Sequence, residues 1–150
     1  MFNHILIPTD GSKASEKAVR AGIAFARQTG AKVTAYHAVK HGSDGVYGEG
    51  YRFPRGDSAA ADLAQRVQRA DAKYILKLAR LAHDAGVAFD SVISETSAPA
   101  RGIVDAARRR DCDIIFMGTR ALGGLARLVR GSVTDTVLRS SKIPVLVYRD

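Results

Sequence analysis

One glycine-rich stretch holds the residue types best suited to binding a negatively charged ligand. Gly118 follows the apolar run 114–117, which we predict to be a buried strand, and Gly131 precedes Ser132 at the predicted start of a helix. Glycine lets the backbone approach a ligand closely, and the free N–H groups of a helix start attract anions. Three guanidinium groups, whose planar donors match phosphate oxygens, lie in the same stretch: Arg120, Arg127 and Arg130. We interpret the stretch as a phosphate-binding loop; the alternative is a connection that only carries surface arginines.

Asp10 is the second candidate for ligand chemistry, because it lies in the turn that follows the first apolar run. Its carboxylate could bind a ribose hydroxyl, or a Mg²⁺ ion that is held by phosphates. It could equally be a carboxylate that only stabilises the turn or caps the next helix. The sequence leaves both interpretations open.

The other reactive side chains do not suggest a catalytic or metal site. The four histidines lack the spacing of a metal site, and His4 and His37 are interpreted as hydrogen-bonded residues near strand ends. Ser12 and Ser132 have no recognisable base partner, so a hydrolase triad is not predicted. The Gly-x-x-x-x-Gly-Lys-Ser/Thr and Gly-x-Gly-x-x-Gly motifs are absent from the sequence, which argues against ordinary NTPase and dinucleotide sites.

Length and composition predict a single domain that covers residues 1–150. The chain is 46% hydrophobic and 25% charged, which is ordinary for a globular protein. No apolar run approaches the ~20 residues of a membrane helix, and the N-terminus shows no secretory signal. The single cysteine, Cys112, excludes an internal disulfide and is expected to be packed or half-exposed. Together these features predict a cytoplasmic location.

The net charge of +8 raises the question of a nucleic-acid partner. The basic residues are spread along the chain, however, and no aromatic–basic recognition motif accompanies them. The densest basic run, 108–110, closes a predicted helix, where the helix dipole favours cations. We therefore do not predict a nucleic-acid partner, and small anionic molecules fit the charge at least as well.

Apolar runs and helical patterns alternate along the chain, and this alternation predicts the fold class. Strands are expected at 5–7, 32–39, 87–94, 114–117 and 143–148, with helices between them. This order indicates an α/β fold, a doubly wound parallel sheet with helices on both faces. Ligands bind such sheets outside the carboxyl ends of the strands, where the strand order reverses. If strands one and four are that pair, Asp10 and Gly118 meet across one crevice.

Local signals predict where the elements begin and end. Ser12 and Ser97 are the expected helix N-caps, and Gly30 and Gly86 are expected to end helices. Pro8 is expected to end the ladder of the first strand, because proline lacks a backbone donor. The predicted inward faces are Ala14, Ala18, Ala21 and Phe25 in the first helix and Val133, Val137 and Leu138 in the last.

The segment of about 40–58 is rich in glycine and has neither helical nor strand periodicity. Connections of this length are uncommon unless they act as lids or binding loops or are disordered. Tyr47, Tyr51 and Phe53 would allow the segment to cover a base. The two interpretations, a flexible lid and an insertion without ligand contact, are equally supported.

Three motifs together resemble the universal stress protein family. They are Ile-Leu-Ile-Pro-Thr-Asp-Gly-Ser at 5–12, the glycine stretch from Gly118 to Ser132, and Ile-Pro-Val-Leu-Val at 143–147. The resemblance covers essentially the whole chain. It implies a five-stranded sheet of order 3-2-1-4-5, similar to adenine-nucleotide alpha-hydrolases, in a protein that is usually dimeric. It also implies the ATP-binding branch, whose pattern is Gly-x-x-Gly, nine residues, Gly, then Ser or Thr. Ala121 departs from this pattern, since the family has glycine at that position.

The resemblance further implies ATP as the ligand and a set of nucleotide contacts; a Mg²⁺ ion that is held by the phosphates at Asp10 stays an open alternative. The implied contacts are Pro8, Thr9 and Asp10 beside the nucleoside, the main chain near Ala38 at the adenine, Met117, Gly118 and Arg120 at the sugar and phosphates, and Gly131, Ser132 and Val133 at the phosphate tail, with Ala121 in the same loop.

The leading functional hypothesis is a cytoplasmic stress-response protein that binds ATP or a related adenine nucleotide as a sensor or signalling module. The alternatives are a slow ATPase or self-phosphorylating enzyme, and a nucleotide-free dimeric interaction protein. No general base is evident beyond Asp10, so any turnover should be weak. We expect a homodimer through 143–148, because an apolar edge strand presents unpaired N–H and C=O groups to a second chain.

Overall fold

The structure of the chain, a computed structural model, describes residues 1–40, 58–119 and 133–149. Within these ranges strands and helices alternate, which confirms the predicted βαβ order. The elements are β1 (His4–Thr9), α1 (Lys13–Thr29), β2 (Lys32–Lys40), α2 (Ser58–Asp84), β3 (Phe89–Thr96), α3 (Pro99–Arg109), β4 (Ile114–Gly118), α4 (Val133–Ser140) and β5 (Val145–Tyr148). The predicted loop at 40–58 falls almost wholly outside the described residues.

The strands form one parallel sheet in the order β3-β2-β1-β4-β5. β1 lies in the middle, where Ile5 is paired with Val33 of β2 on one side and with Ile114 of β4 on the other. The predicted doubly wound sheet and its strand order are thereby confirmed. Strand order reverses between β1 and β4, because the chain moves outward through β2 and β3 and then crosses back to β4.

Helices cover both faces of the sheet because successive strand side chains point in opposite directions. Ile5 and Ile7 of β1 pack with Val19 of α1 and Leu78 of α2 on one face. Leu6 faces the other way and packs in the core that includes α3 and α4. The continuous apolar run of β1 is therefore buried on both sides, as expected for a central parallel strand.

The predicted inward faces of α1 and α4 are partly wrong. In α1 Ala18 is buried as predicted and Ala21 and Phe25 are partly buried, but Ala14 is exposed and the buried stripe is centred on Val19 and Ile23. Val19 and Ile23 bury more apolar area than alanines, so this stripe faces the sheet. In α4 Val137 is fully buried, whereas Val133 is 39% exposed and Leu138 is 46% exposed. A helix that packs through one narrow stripe buries only the central residue of that stripe.

Two predicted boundaries are also wrong. β1 continues through Pro8 to Thr9, because proline removes one donor while the pairing with β2 extends to Thr9 and His37. The N-cap of α3 is Ala98 and not Ser97, and within the described residues no side chain caps this helix. Pro99 at the first helical position sets the start of α3.

Two strands are also displaced or shortened, since β3 covers 89–96 where 87–94 was predicted and β5 covers 145–148 where 143–148 was predicted. The predictions for Ser12, Gly30, Gly86 and Cys112 are confirmed. Ser12 caps α1, since its hydroxyl oxygen accepts a hydrogen bond from Ser15 N at 3.2 Å. Gly30 and Gly86 follow α1 and α2 with φ values of +72° and +70°, a conformation that glycine adopts without strain. Cys112 is buried, and burial raises the pKa of its thiol to about 11. Among the described helices, none is both long and apolar enough to cross a membrane.

Candidate functional site

The reversal of strand order places the candidate site between the carboxyl ends of β1 and β4. Asp10 directly follows β1, and Gly118 is the last residue of β4. Because β1 and β4 are neighbours, these two residues lie at the same edge of the sheet. Open α/β sheets bind their ligands at such a point. The structure thus brings together the two segments that the sequence singled out.

The turn after β1 is held by its own side chains. Asp10 Oδ1 accepts a hydrogen bond from Ser12 N at 3.0 Å, and Thr9 Oγ1 accepts one from Gly11 N at 3.2 Å. Gly11 has a φ of +78°, which only glycine adopts readily. The carboxylate of Asp10 therefore stabilises the turn, which is one of its two predicted roles. The same bond orients the carboxylate for the second role, which stays a prediction.

Below this turn, Thr9 joins β1 to two helices. Its side chain is buried, and Thr9 Oγ1 lies 2.6 Å from the hydroxyl of Tyr74 in α2 and 2.9 Å from the hydroxyl of Ser15 in α1. Thr9 points to the face that carries α1 and α2, the same face as Ile5 and Ile7. Its side chain thus supports the turn from beneath.

His37 occupies the corresponding position near the end of β2. Its ring is buried, with Nδ1 at 3.3 Å from the carbonyl oxygen of Thr9 and Nε2 at 2.8 Å from Asp71 Oδ1 in α2. The ring also packs against Tyr74, with ring centroids 5.4 Å apart. This confirms the prediction that His37 is a hydrogen-bonded residue near a strand end. We call Thr9, Ser15, His37, Asp71 and Tyr74 the strand-end cluster.

Sequence reasoning did not identify the strand-end cluster. Neither the Tyr74 hydroxyl nor the Asp71 carboxylate was singled out. The available signal was their spacing, because residues three apart lie on the same face of a helix. A carboxylate and a phenol on the inner face of α2 need polar partners in the sheet.

The other predicted contacts of the nucleoside lie at the same edge of the sheet. Pro8 is paired with Tyr36, and Ala38 of β2 is half-buried one residue beyond His37. Met117 is 4% exposed and its side chain packs in the core, so only its main chain is available to a ligand. The roles of these residues in nucleotide binding stay predictions.

The glycine at the end of β4 has a packing role of its own. A Cβ at Gly118 would lie 2.5 Å from the Cβ of Ala18 in α1. This short distance requires glycine whether or not a ligand binds. Beyond Gly118 and Thr119, the predicted phosphate contacts at Arg120, Ala121, Gly131 and Ser132 lie outside the described residues. Val133 is the first residue of α4.

Two lysines of α1 lie next to the described edge of the sheet. A shallow groove of about 300 Å³ runs beside Lys13 and Lys17 of α1 and past Thr119 and Tyr148 at the ends of β4 and β5. Two ammonium groups on successive turns favour anions in this region. Within the described residues, no cluster of three or more His, Cys, Asp and Glu side chains is placed to hold a metal ion.

The fold defines the class of protein: a doubly wound α/β domain whose strand order reverses between its first and fourth strands. A family model described as the universal stress protein family matches residues 1–149. Universal stress protein MJ0531 of Methanocaldococcus jannaschii is 30% identical, over 99% of this chain and 83% of its own length. The universal stress protein in the QAH/OAS sulfhydrylase 3′ region of Thermus aquaticus is 31% identical, over 99% of this chain and 100% of its own. The chain belongs to the universal stress protein family.

Solved structures share the fold along the full chain. Hypothetical protein MJ0577 superposes with a TM-score of 0.76 at 25% identity, over 100% of this chain and 97% of its own. A universal stress protein in complex with cAMP gives a TM-score of 0.70 at 21% identity, covering 99% and 97% of the two chains. The universal stress protein of Archaeoglobus fulgidus in complex with dAMP gives 0.61 at 19% identity, covering 98% and 97%.

Proposed function

We propose that this stress-response protein binds ATP or a related adenine nucleotide at the carboxyl ends of β1 and β4 and acts as a sensor or signalling module. The observation that carries the proposal is the adjacency of β1 and β4, which brings Asp10 and Gly118 to the same edge of the sheet. Two family members of the same fold have been solved with cAMP and with dAMP. Both ligands contain adenine and a phosphate, as the predicted contacts require.

The chemistry of the described residues is suited to a nucleotide. The carboxylate of Asp10, oriented by its bond from Ser12 N, is suited to accept a hydrogen bond from a ribose hydroxyl. Ala38, which is half-buried, lies on the neighbouring strand β2. Lys13 and Lys17 add positive charge on the neighbouring helix. We propose that any Mg²⁺ enters with the phosphates of ATP and takes Asp10 as its protein ligand, since carboxylate oxygens suit this cation. The cytoplasmic location predicted from the sequence stays a prediction.

Titration calorimetry with ATP, AMP and cAMP tests the proposal, with Asp10→Asn as the first variant. An asparagine oxygen can still accept the hydrogen bond from Ser12 N, so the turn is retained while the charge is lost. We expect the variant to bind adenine nucleotides about tenfold more weakly, as for the loss of a hydrogen bond to a charged group. Asp90→Asn is the matched control, because Asp90 lies on the edge strand β3, away from the proposed site, where its exposed carboxylate pairs with Arg110. Absence of heat with all three nucleotides would refute the proposal.

Two substitutions in the glycine stretch test the predicted phosphate loop. Ala121→Gly should tighten ATP binding several-fold if the position needs a positive φ, because alanine there costs about 1 kcal/mol. Gly131→Val should abolish ATP binding by filling the space that the phosphates need. If both variants bind ATP like the native chain, the loop does not hold the phosphates.

We also propose that the protein forms a homodimer through β5. This strand lies at the edge of the sheet, with β4 as its neighbour on one side, and its four residues are only half-buried. An edge strand of this kind pairs readily with a second copy about a two-fold axis. If the site proves not to bind nucleotides, this dimer is the basis for the second candidate function, a nucleotide-free interaction protein.

A further inference from the structure

We propose that Asp71 and Tyr74 of α2 are positioning residues that set the base and sugar specificity of the nucleotide site through the ends of β1 and β2. The inference rests on the proposed function, because it concerns the same site. It extends that function to two residues of α2 that are not among the predicted nucleotide contacts.

The geometry begins with the position of α2. Asp71 and Tyr74 are one helical turn apart on α2, and each reaches the carboxyl end of a different strand. Asp71 Oδ1 lies 2.8 Å from His37 Nε2 of β2, and the Tyr74 hydroxyl lies 2.6 Å from Thr9 Oγ1 of β1. One helix therefore holds the ends of two neighbouring strands through two separate hydrogen bonds.

Each of the two contacts ends one residue before a predicted nucleotide contact. Thr9 precedes Asp10, whose carboxylate is the candidate partner of the ribose. His37 precedes Ala38, whose main chain is the candidate partner of the adenine. Side chains alternate between the two faces of a strand, so Thr9 and His37 both point to α2. Asp10 and Ala38 are bonded directly to these two residues, so a shift of either strand end moves the predicted contact that follows it.

Burial makes these contacts effective as positional constraints. Thr9 is 4% exposed and His37 is 3% exposed, so neither side chain can exchange its partner for bulk water without opening the structure. The Asp71–His37 contact and the Tyr74–Thr9 contact also touch each other, because His37 Nδ1 lies 3.3 Å from the Thr9 carbonyl oxygen and the His37 ring packs on Tyr74. Buried polar groups that are all satisfied hold a single arrangement.

The arrangement separates the two kinds of specificity. The Asp71 contact positions β2 and hence the adenine partner, whereas the Tyr74 contact positions β1 and hence the ribose partner. Substitution of Asp71 should therefore change the discrimination between bases, and substitution of Tyr74 should change the discrimination between sugars. A role in stability alone would weaken all nucleotides equally and leave both ratios unchanged.

Equilibrium titrations of the native chain, Asp71→Ala and Tyr74→Phe test the inference. The probes are ATP, GTP, dATP and 3′-deoxy-ATP. We expect Asp71→Ala to lower the preference for ATP over GTP by about three- to tenfold, the effect of one partly buried hydrogen bond, with little change in the sugar ratios. Tyr74→Phe, which keeps the ring and removes the hydroxyl, should lower the preference for ATP over the deoxy analogues by a similar factor.

Two further variants distinguish positioning from general damage. Asp71→Asn keeps an oxygen acceptor for His37 and should restore most of the base preference that Asp71→Ala loses. Lys77→Gln breaks the 2.8 Å ion pair that ties α2 to Glu16 of α1 without touching the strand ends, and should leave all ratios unchanged. Thermal unfolding of each variant confirms that the folded protein is being titrated.

The outcomes separate this inference from the proposed function. If the native chain binds ATP and the variants keep the native base and sugar preferences, the inference is overturned and the proposed function stands. Native chain that binds none of the four nucleotides would overturn the proposed function and the inference with it. If both variants change both ratios, the two residues act together on the whole site. That result would contradict the assignment of Asp71 to the base preference and of Tyr74 to the sugar preference.

Discussion

The hydroxyl of Tyr36 in β2 lies against Gly102 in α3, in the space that a Cβ of residue 102 would occupy. Tyr36 is fully buried, and its hydroxyl has no hydrogen-bond partner among the described residues. The ring fills the core under α3 while the hydroxyl prevents any larger residue at Gly102. Strand β2 and helix α3 thus approach each other at a distance that only glycine permits.

The first prediction follows from this pair. Tyr36→Phe should leave the free energy of unfolding unchanged or raise it by about 1 kcal/mol, because a buried hydroxyl without a partner is costly. Gly102→Ala should lower it by about 1–3 kcal/mol through overpacking. In the Tyr36→Phe background the cost of Gly102→Ala should fall, since the clashing oxygen is gone. Urea unfolding of the four proteins measures the coupling, and strictly additive effects would contradict the proposed contact.

A second prediction compares two glycines that face close neighbours. A Cβ at Gly118 would lie 2.5 Å from the Cβ of Ala18, an atom that cannot rotate away. A Cβ at Gly22 would lie 2.6 Å from the terminal methyl of Ile7, which can change rotamer. Alanine is also favoured over glycine inside a helix by about 1 kcal/mol, which partly offsets the clash at Gly22.

We therefore expect Gly118→Ala to lower the free energy of unfolding by more than Gly22→Ala does. The comparison uses chemical unfolding of both variants under identical conditions. Equal losses, or a greater loss at Gly22, would show that α1 moves away from β4 more easily than the packing of Ala18 suggests.

The third prediction concerns pH and His4. Burial, and secondarily the charge of Lys32, lower the pKa of His4 below its ordinary value of 6.5, although Asp113 acts in the opposite direction. The ring is held by a 2.8 Å hydrogen bond between Nε2 and the hydroxyl of Thr34. In the unfolded chain His4 takes up a proton more readily than in the folded chain. The contribution of His4 to the free energy of unfolding is therefore complete above pH 6.5 and is lost as the pH falls through the pKa that His4 has in the folded state.

Urea unfolding at pH 7.5 and 5.5 checks this sign. The native chain should lose stability at the lower pH, and His4→Gln should lose less. His83→Gln is the control, since the His83 side chain is 90% exposed. Glu16 does not interfere, because Lys77 and Arg20 lower its pKa from 4.5 and its contribution is lost only at still lower pH. The same pH loss in His4→Gln as in the native chain would refute the assignment.

The fourth prediction tests the proposed dimer. Val145 of β5 is paired with Ile115 of β4, and proline at position 145 would remove a backbone donor and set the strand out of register. Light scattering at micromolar concentration should give a dimer for the native chain and a monomer for Val145→Pro. Ile93→Pro on β3, at the opposite edge of the sheet, is the matched control and should stay dimeric. A monomeric native chain would remove the dimer proposal.

Local sequence was sufficient for the elements and for part of the site. Gly30 and Gly86 end helices because the left-handed conformation is accessible to glycine without long-range help. Ser12 caps α1 with a hydroxyl that reaches a backbone N–H three residues away. The alternation of strands and helices, read together with the family resemblance, predicted the strand order. That order in turn predicted the adjacency of Asp10 and Gly118.

Local signals were insufficient wherever two positions competed for one role. Ser97 is a better cap than Ala98 by residue type, but Pro99 begins α3 and makes Ala98 the cap. The stripe through Ala14 has helical spacing, but the neighbouring stripe through Val19 covers the sheet. Periodicity restricts the buried face to one side of a helix, and only the packing partner selects the stripe.

The strand-end cluster was decided by the tertiary structure. Thr9 and Tyr74 are 65 residues apart in the chain, and His37 and Asp71 are 34 apart. The sequence by itself determined which segments are strands and helices, because backbone preferences and hydrophobic periodicity act over a few neighbouring residues. Which polar side chains meet at the strand ends depends on how α2 lies on the sheet, and that follows from the apolar packing of Leu78 and Ala82 against β1 and β2.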